Sequence, residues 1–128
     1  MSEDLFSRGQ QIRRKVLGDE YVDNALKGAD DFNRDFQRIV TEYCWGAAWG
    51  REGLSHKQGS LNNLCILATL NRPNEFELHC RGALRNGCSV DEIRETLIQI
   101  AIYAGVPAGV EAFRIARKVL QEEGAIKS

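Results

Sequence analysis

The stretch Asn71-Arg72-Pro73-Asn74-Glu75-Phe76-Glu77-Leu78-His79-Cys80 limits what this chain can fold into more than any other. Pro73 fixes its own φ and has no N–H to donate, so it suits the first turn of a helix, where that N–H would lack a partner anyway. Asn86-Gly87 supplies the turn at the other end. Between these limits Phe76, Cys80, Ala83 and Leu84 share one arc at helical spacing. Glu75 and His79 stand one turn apart at the edge of that arc, placing an acid and an imidazole where core meets solvent.

The same punctuation recurs along the chain. Leu5, Ile12, Val16 and Leu17 keep near-helical spacing among Arg8, Arg13, Arg14 and Lys15, and Gly18 ends that helix. Asp19 can cap a short second helix with Tyr21, Val22 and Leu26, which Gly28 interrupts. A third helix starts at Ala29-Asp30-Asp31 and runs toward Trp45, with Phe32, Phe36, Ile39, Val40, Tyr43 and Cys44 as a stripe expected to be buried. Gly46, Gly50 and Gly53 make the following segment irregular, so Trp45 and Trp49 are expected on or beside a loop. There the indoles either line a pocket or cover a core rim or subunit contact.

Ser55-His56-Lys57-Gln58 and Ser89-Val90-Asp91-Glu92 read as capping boxes, opening helices to about Leu70 and to Ala104. Lys57 projects from the apolar side of its helix, an unusual place for a charge unless its ammonium meets solvent, an acid or a ligand, with snorkelling the default explanation. From Ile98 to Ala104 the sequence is apolar nearly all round, which marks a helix covered by its neighbours or by another subunit. Gly105-Val106-Pro107 breaks it, and a last helix carries Val110, Phe113, Ile115, Ala116, Val119 and Leu120 to a stop at Gly124. No alternating strand pattern or internal repeat occurs. The expectation is an all-α, single-domain bundle of about six helices over residues 1–128.

Charge excludes several function classes. With 17 basic and 18 acidic side chains, the chain has no general attraction for nucleic acid or an anionic membrane. The Gly87 turn between two helices could suggest a DNA-binding unit, but Asp91, Glu92 and Glu95 would turn carboxylates toward phosphates. Neither GxxxxGK[ST] nor GxGxxG is present. No run of eighteen apolar residues occurs, and the acidic start Met1-Ser2-Glu3-Asp4 is unlike a signal peptide, so a cytoplasmic protein is expected. Cys44, Cys65, Cys80 and Cys88 lack CxxC spacing and read as small buried hydrophobes, and the two histidines offer no metal-ligand spacing. His79 is the residue with chemical promise, because imidazole titrates near neutrality and Glu75 can orient it. Arg72 can meet an anion from the start of the same helix.

Taken together, Tyr43-Cys44-Trp45-Gly46, Trp49, Arg51, Gly53-Leu54, Ser60-Leu61, Leu70-Asn71-Arg72, Glu75, His79, Ala83, Asn86-Gly87, Glu92-Ile93, Glu95, Gln99, Ile102-Tyr103, Gly105 and Pro107 resemble the γ-carboxymuconolactone decarboxylases. Arg13-Arg14-Lys15-Val16-Leu17-Gly18 and Asp31-Phe32-Asn33 extend the match over nearly the whole chain. The resemblance implies an alkylhydroperoxidase-D-like helical fold, assembled as a homo-oligomer such as a trimer or hexamer. It also implies decarboxylation, without a cofactor, of γ-carboxymuconolactone or a related carboxylated lactone in the β-ketoadipate pathway of aromatic catabolism. Under it His79 is the general acid or oxyanion donor, oriented by Glu75. Arg51, Lys57 and Arg72 hold substrate carboxylates, while Trp45 and Trp49 exclude water. The chain departs from the family pattern at Gly59, which stands where Arg usually precedes Ser-Leu, and at Glu52, which stands where Pro usually follows Arg51. A thiol peroxidase of the same superfamily would need a CxxC pair near the histidine, and only His79-Cys80 is offered. A non-catalytic oligomer that binds a small acid is the remaining alternative.

Overall fold

The computed structural model describes the backbone of residues 2–128 and side chains from Asp4 onward. Seven α-helices and one π-helical segment account for the regular structure of the described residues: α1 (Ser2–Leu17), α2 (Asp19–Lys27), α3 (Arg34–Ile39), the π segment (Val40–Ala48), α4 (His56–Thr69), α5 (Pro73–Arg85), α6 (Val90–Tyr103) and α7 (Val106–Glu122). The all-α expectation holds. These helices form two compact units, residues 1–55 and 56–128.

In the first unit α1 lies along the π segment and α2 packs on α1. Two glycines make the first contact possible. A Cβ on Gly9 would collide with the carbonyl oxygen of Thr41, and one on Gly46 with that of Leu5, so the backbones touch where side chains are missing. This close approach turns the face holding Thr41, Trp45 and Gly46 inward. It also corrects the expected buried stripe, because Phe32, Phe36, Ile39 and Tyr43 are exposed instead, Phe32 almost completely. Trp45 sits inside the π segment rather than on a loop, and Trp49 caps it, with its N–H donating to the carbonyl of Cys44 at 3.0 Å.

In the second unit the four helices close a ring, α4 on α5, α5 on α7, α7 on α6 and α6 on α4. Leu64, Phe76, Cys80, Ala83, Ile93, Leu97, Ile100, Ala112, Ile115, Ala116, Val119 and Leu120 fill its centre. This matches the apolar arc read on α5. The Ser89 box is formed: Ser89 Oγ accepts from the Glu92 N–H at 3.0 Å and Glu92 Oε1 accepts from the Ser89 N–H at 2.9 Å. The face of α6 carrying Ile98, Ile102 and Tyr103 is left open to solvent, and so are Val106, Val110 and Phe113 on α7. Within the stretch Ile98 to Ala104 the chain's own helices therefore cover Ile100 but leave Ile98, Ile102 and Tyr103 open.

Candidate active site

Local geometry at the start of α5 follows from the end of α4. Asn71 adopts φ 59°, the left-handed conformation that asparagine tolerates best after glycine. The Arg72 N–H then donates to the carbonyl of Leu67 at 2.9 Å, and the Asn71 N–H to that of Ala68 at 3.2 Å. This double closure satisfies the last carbonyls of α4 and reverses the chain within two residues. Arg72 emerges directly before Pro73, at the N-terminus of α5. Gly87, with φ 88°, closes the far end in the same way.

His79 is buried, 9% exposed, whereas Glu75 one turn earlier is exposed. The side-chain amide nitrogen of Asn63, on α4, lies 3.3 Å from His79 Nδ1. In this amide orientation Asn63 donates and Nδ1 accepts, which leaves the imidazole proton on Nε2. Burial pushes the His79 pKa down to about 4, and the nearby Glu75 carboxylate opposes that shift only partly. The ring is consequently neutral near pH 7 and presents an N–H donor. Asn63 was not singled out from sequence, since an asparagine sixteen residues away on another helix carries no local signal.

Arg72 lines a cavity of about 290 Å³ whose walls include Pro73, Phe76, Pro107, Ala112 and Ile115. Its guanidinium is exposed and has no carboxylate within ion-pair distance among the described residues. Glu111, also on that wall, is already held by Arg114 at 3.1 Å. His79, Glu75 and Lys57 are not among the lining residues. Lys57 is bound instead to Glu92, with Nζ 2.8 Å from Oε2, so an acid of α6 explains its position better than snorkelling. In the first unit Trp45 and Trp49 stack with ring centroids 5.1 Å apart and planes inclined by 25°. Arg51 follows them, exposed.

The cysteines behave as buried hydrophobes or half-buried groups. Burial pushes the Cys80 thiol up to about 12 and Cys88 up to about 11, far from the thiolate range that peroxide chemistry needs. Among the described residues no three His, Cys, Asp or Glu side chains gather as metal ligands, and no helix is long and apolar enough to cross a membrane.

The four helices of the second unit thus carry a buried, neutral imidazole at His79 within an all-α fold. The chain belongs to the carboxymuconolactone decarboxylase family, whose sequence model matches residues 34–118. It is 42% identical over 118 residues to the nitrosuccinic acid decarboxylase of Metarhizium robertsii, covering 92% of this chain and 82% of that protein. It is 34% identical over 122 residues to the 4-carboxymuconolactone decarboxylase of Acinetobacter baylyi, covering 95% and 91%. It is a decarboxylase of that family.

Proposed function

We propose that this enzyme decarboxylates a small di-acid in which the departing carboxylate sits beside an oxygen-terminated electron sink. The observation that carries this reading is the buried His79, held as an Nε2–H donor by Asn63, with Glu75 one turn away. Two substrates fit the chemistry. In γ-carboxymuconolactone, loss of CO₂ leaves an electron pair on the ring carbon that delocalises through the C=C bond into the lactone carbonyl. In nitrosuccinic acid, the pair released at the nitro-bearing carbon moves into the nitro group. Both are di-acids and both place new negative charge on oxygen.

The C–C bond to the carboxylate breaks, its electron pair enters the sink, and CO₂ departs. His79 Nε2–H donates to the charged oxygen of the sink, whose charge grows in the transition state more than in the bound acid. A proton then returns to carbon as the pair moves back. Water supplies that proton, while the ring stays neutral with Nδ1 accepting from Asn63. Arg72, at the mouth of an apolar cavity, holds the retained carboxylate. Carboxylate binding by Arg51 and Lys57 and exclusion of water by Trp45 and Trp49 belong to the same reading, as does cytoplasmic operation without a cofactor. Glu92 competes for Lys57, which makes Lys57 the weakest clamp of the three.

The enzyme is further proposed to act as a homo-oligomer. Ile98, Ile102, Tyr103, Val106, Val110 and Phe113 are large apolar side chains left exposed on α6 and α7, a feature that suits contact with another copy.

The decisive assay follows CO₂ release from both acids. Turnover of at least one acid is expected, with kcat reduced at least about 100-fold in His79→Ala and markedly in Glu75→Ala. Wild-type rates in both variants would overturn the roles assigned here. Turnover of neither acid would overturn the substrate class.

A further inference from the structure

We infer that the first unit contains a binding site for an organic monocarboxylate with an apolar body, built around the buried guanidinium of Arg13. A cleft of about 390 Å³ is lined by α1, α2 and α3 with the start of the π segment, and Arg13, Phe6, Val22, Leu26, Gln37 and Thr41 are among its walls. That size is within the range of small-molecule sites.

Arg13 is 6% exposed, and its hydrogen-bond partner is the neutral Gln37, whose Oε1 accepts from Nη1 at 3.0 Å. Its Nε is buried with no hydrogen-bond partner among the described residues. Among the described residues no carboxylate lies within ion-pair distance of it. An arginine stays charged at any physiological pH, so this is a standing cation lacking a counter-ion. Burial depresses its basicity, and Tyr21 and Cys44, neither of them a carboxylate, oppose that shift only partly.

The other charges of the cavity are already committed or balance each other poorly. Arg34 pairs with Asp31 at 2.6 Å. Arg38 pairs with Glu42 at 3.2 Å and lies over the Phe6 ring, 4.7 Å from its centroid. Asp35 is the one acid on the wall, against three arginines. Thr41 Oγ1 is occupied by the carbonyl of Gln37 at 2.8 Å. An incoming carboxylate would thus meet a positive, partly desolvated pole at Arg13, while Phe6, Val22, Leu26 and Ala29 receive its apolar body. A purely structural arginine would be expected to find an acid, because a neutral amide does not offset a buried charge.

The experiment is calorimetric titration of the purified full-length protein with hexanoate and, separately, with its neutral isostere hexanamide. Hexanoate is expected to bind once per chain and at least ten-fold more tightly than hexanamide. Arg13→Met should abolish that preference, and Leu26→Trp, which fills the cavity from its exposed side, should block hexanoate while leaving Arg13 in place. His79→Ala should bind hexanoate as wild type does, which separates this site from the proposed decarboxylation site. Equal binding of acid and amide, no binding of hexanoate at millimolar concentration, or an unchanged preference in Arg13→Met would each overturn the inference. So would loss of hexanoate binding in His79→Ala, or a finding that Arg13 is neutralised by a carboxylate of a second copy. Circular dichroism of each variant establishes that it is folded, and Leu26→Trp carries the test if Arg13→Met is not.

Discussion

The side-chain amide nitrogen of Asn63 on α4 lies 3.3 Å from Nδ1 of His79 on α5, and in this orientation the contact favours the imidazole proton on Nε2. Replacing Asn63 with Leu removes the donor and leaves the ring free to change tautomer. Catalytic turnover is expected to fall about 10–100-fold with KM changed little, since Asn63 positions the ring without touching substrate. Nitrogen chemical shifts of His79 check the cause directly: wild type should show the Nε2–H form at pH 7, and the Asn63→Leu protein a tautomer mixture.

The depressed pKa of His79 also makes stability depend on pH. In the unfolded chain the imidazole titrates near 6.5, and in the folded protein near 4. Between these values the unfolded state binds the extra proton, so stability rises with pH across that window and is lost as pH falls through it. The full swing is about 3 kcal/mol. Urea unfolding measured from pH 4.5 to 7 should show the slope in wild type and a flatter profile in His79→Gln.

Asn71 holds a left-handed turn that glycine would adopt without strain and a β-branched residue would resist. Asn71→Gly is expected to keep stability within about 0.5 kcal/mol, and Asn71→Val to lose about 1–2 kcal/mol. Because Arg72 is delivered by this turn, the Val variant should also raise KM for a di-acid more than it lowers kcat. Denaturant midpoints and initial rates on the same preparations separate the two effects.

The contrast between the two units shows what a sequence of this kind displays and what it hides. Pro73, Gly87, the Ser89 box and the arc of Phe76, Cys80 and Ala83 are local signals, each set by neighbours within a turn, and the second unit follows them closely. The aromatic stripe of Phe32, Phe36, Ile39 and Tyr43 has the right period but the wrong side, because the contact of Gly9 with Thr41 selects the small-residue face. Such a choice depends on backbones thirty residues apart. The candidate site divides in the same way. Glu75 and His79 were legible as a pair at helical spacing, whereas Asn63 beside His79 and the Glu92 partner of Lys57 are set by tertiary packing.

Gly109 gives a second close approach, this time between α6 and α7. A Cβ there would overlap the Cβ of Ala101, and the rigid helix backbones on both sides leave it no room. Gly109→Ala should gain helix propensity yet still destabilise by about 1–3 kcal/mol, the usual cost of overpacking. Ala101→Gly in the same chain should recover part of that loss, and a double-mutant cycle of denaturant midpoints measures the recovery.

The exposed face of α6 and α7 leads to the last expectation. Ile102 is 72% exposed and Tyr103 85%, although both sit in a sequence that is apolar nearly all round. Burying two such side chains against a second copy would stabilise association by a few kcal/mol, on the order of 1.5–3 kcal/mol for each large apolar group. A charge placed there would have to be buried unpaired in the assembly. Ile102→Glu is therefore expected to shift the protein toward monomer by sedimentation velocity, with little change in the helical circular dichroism signal. Wild type should sediment as a closed oligomer at micromolar concentration. If wild type is already monomeric there, the apolar face is not a contact between copies, and Ile102→Glu should then leave sedimentation unchanged.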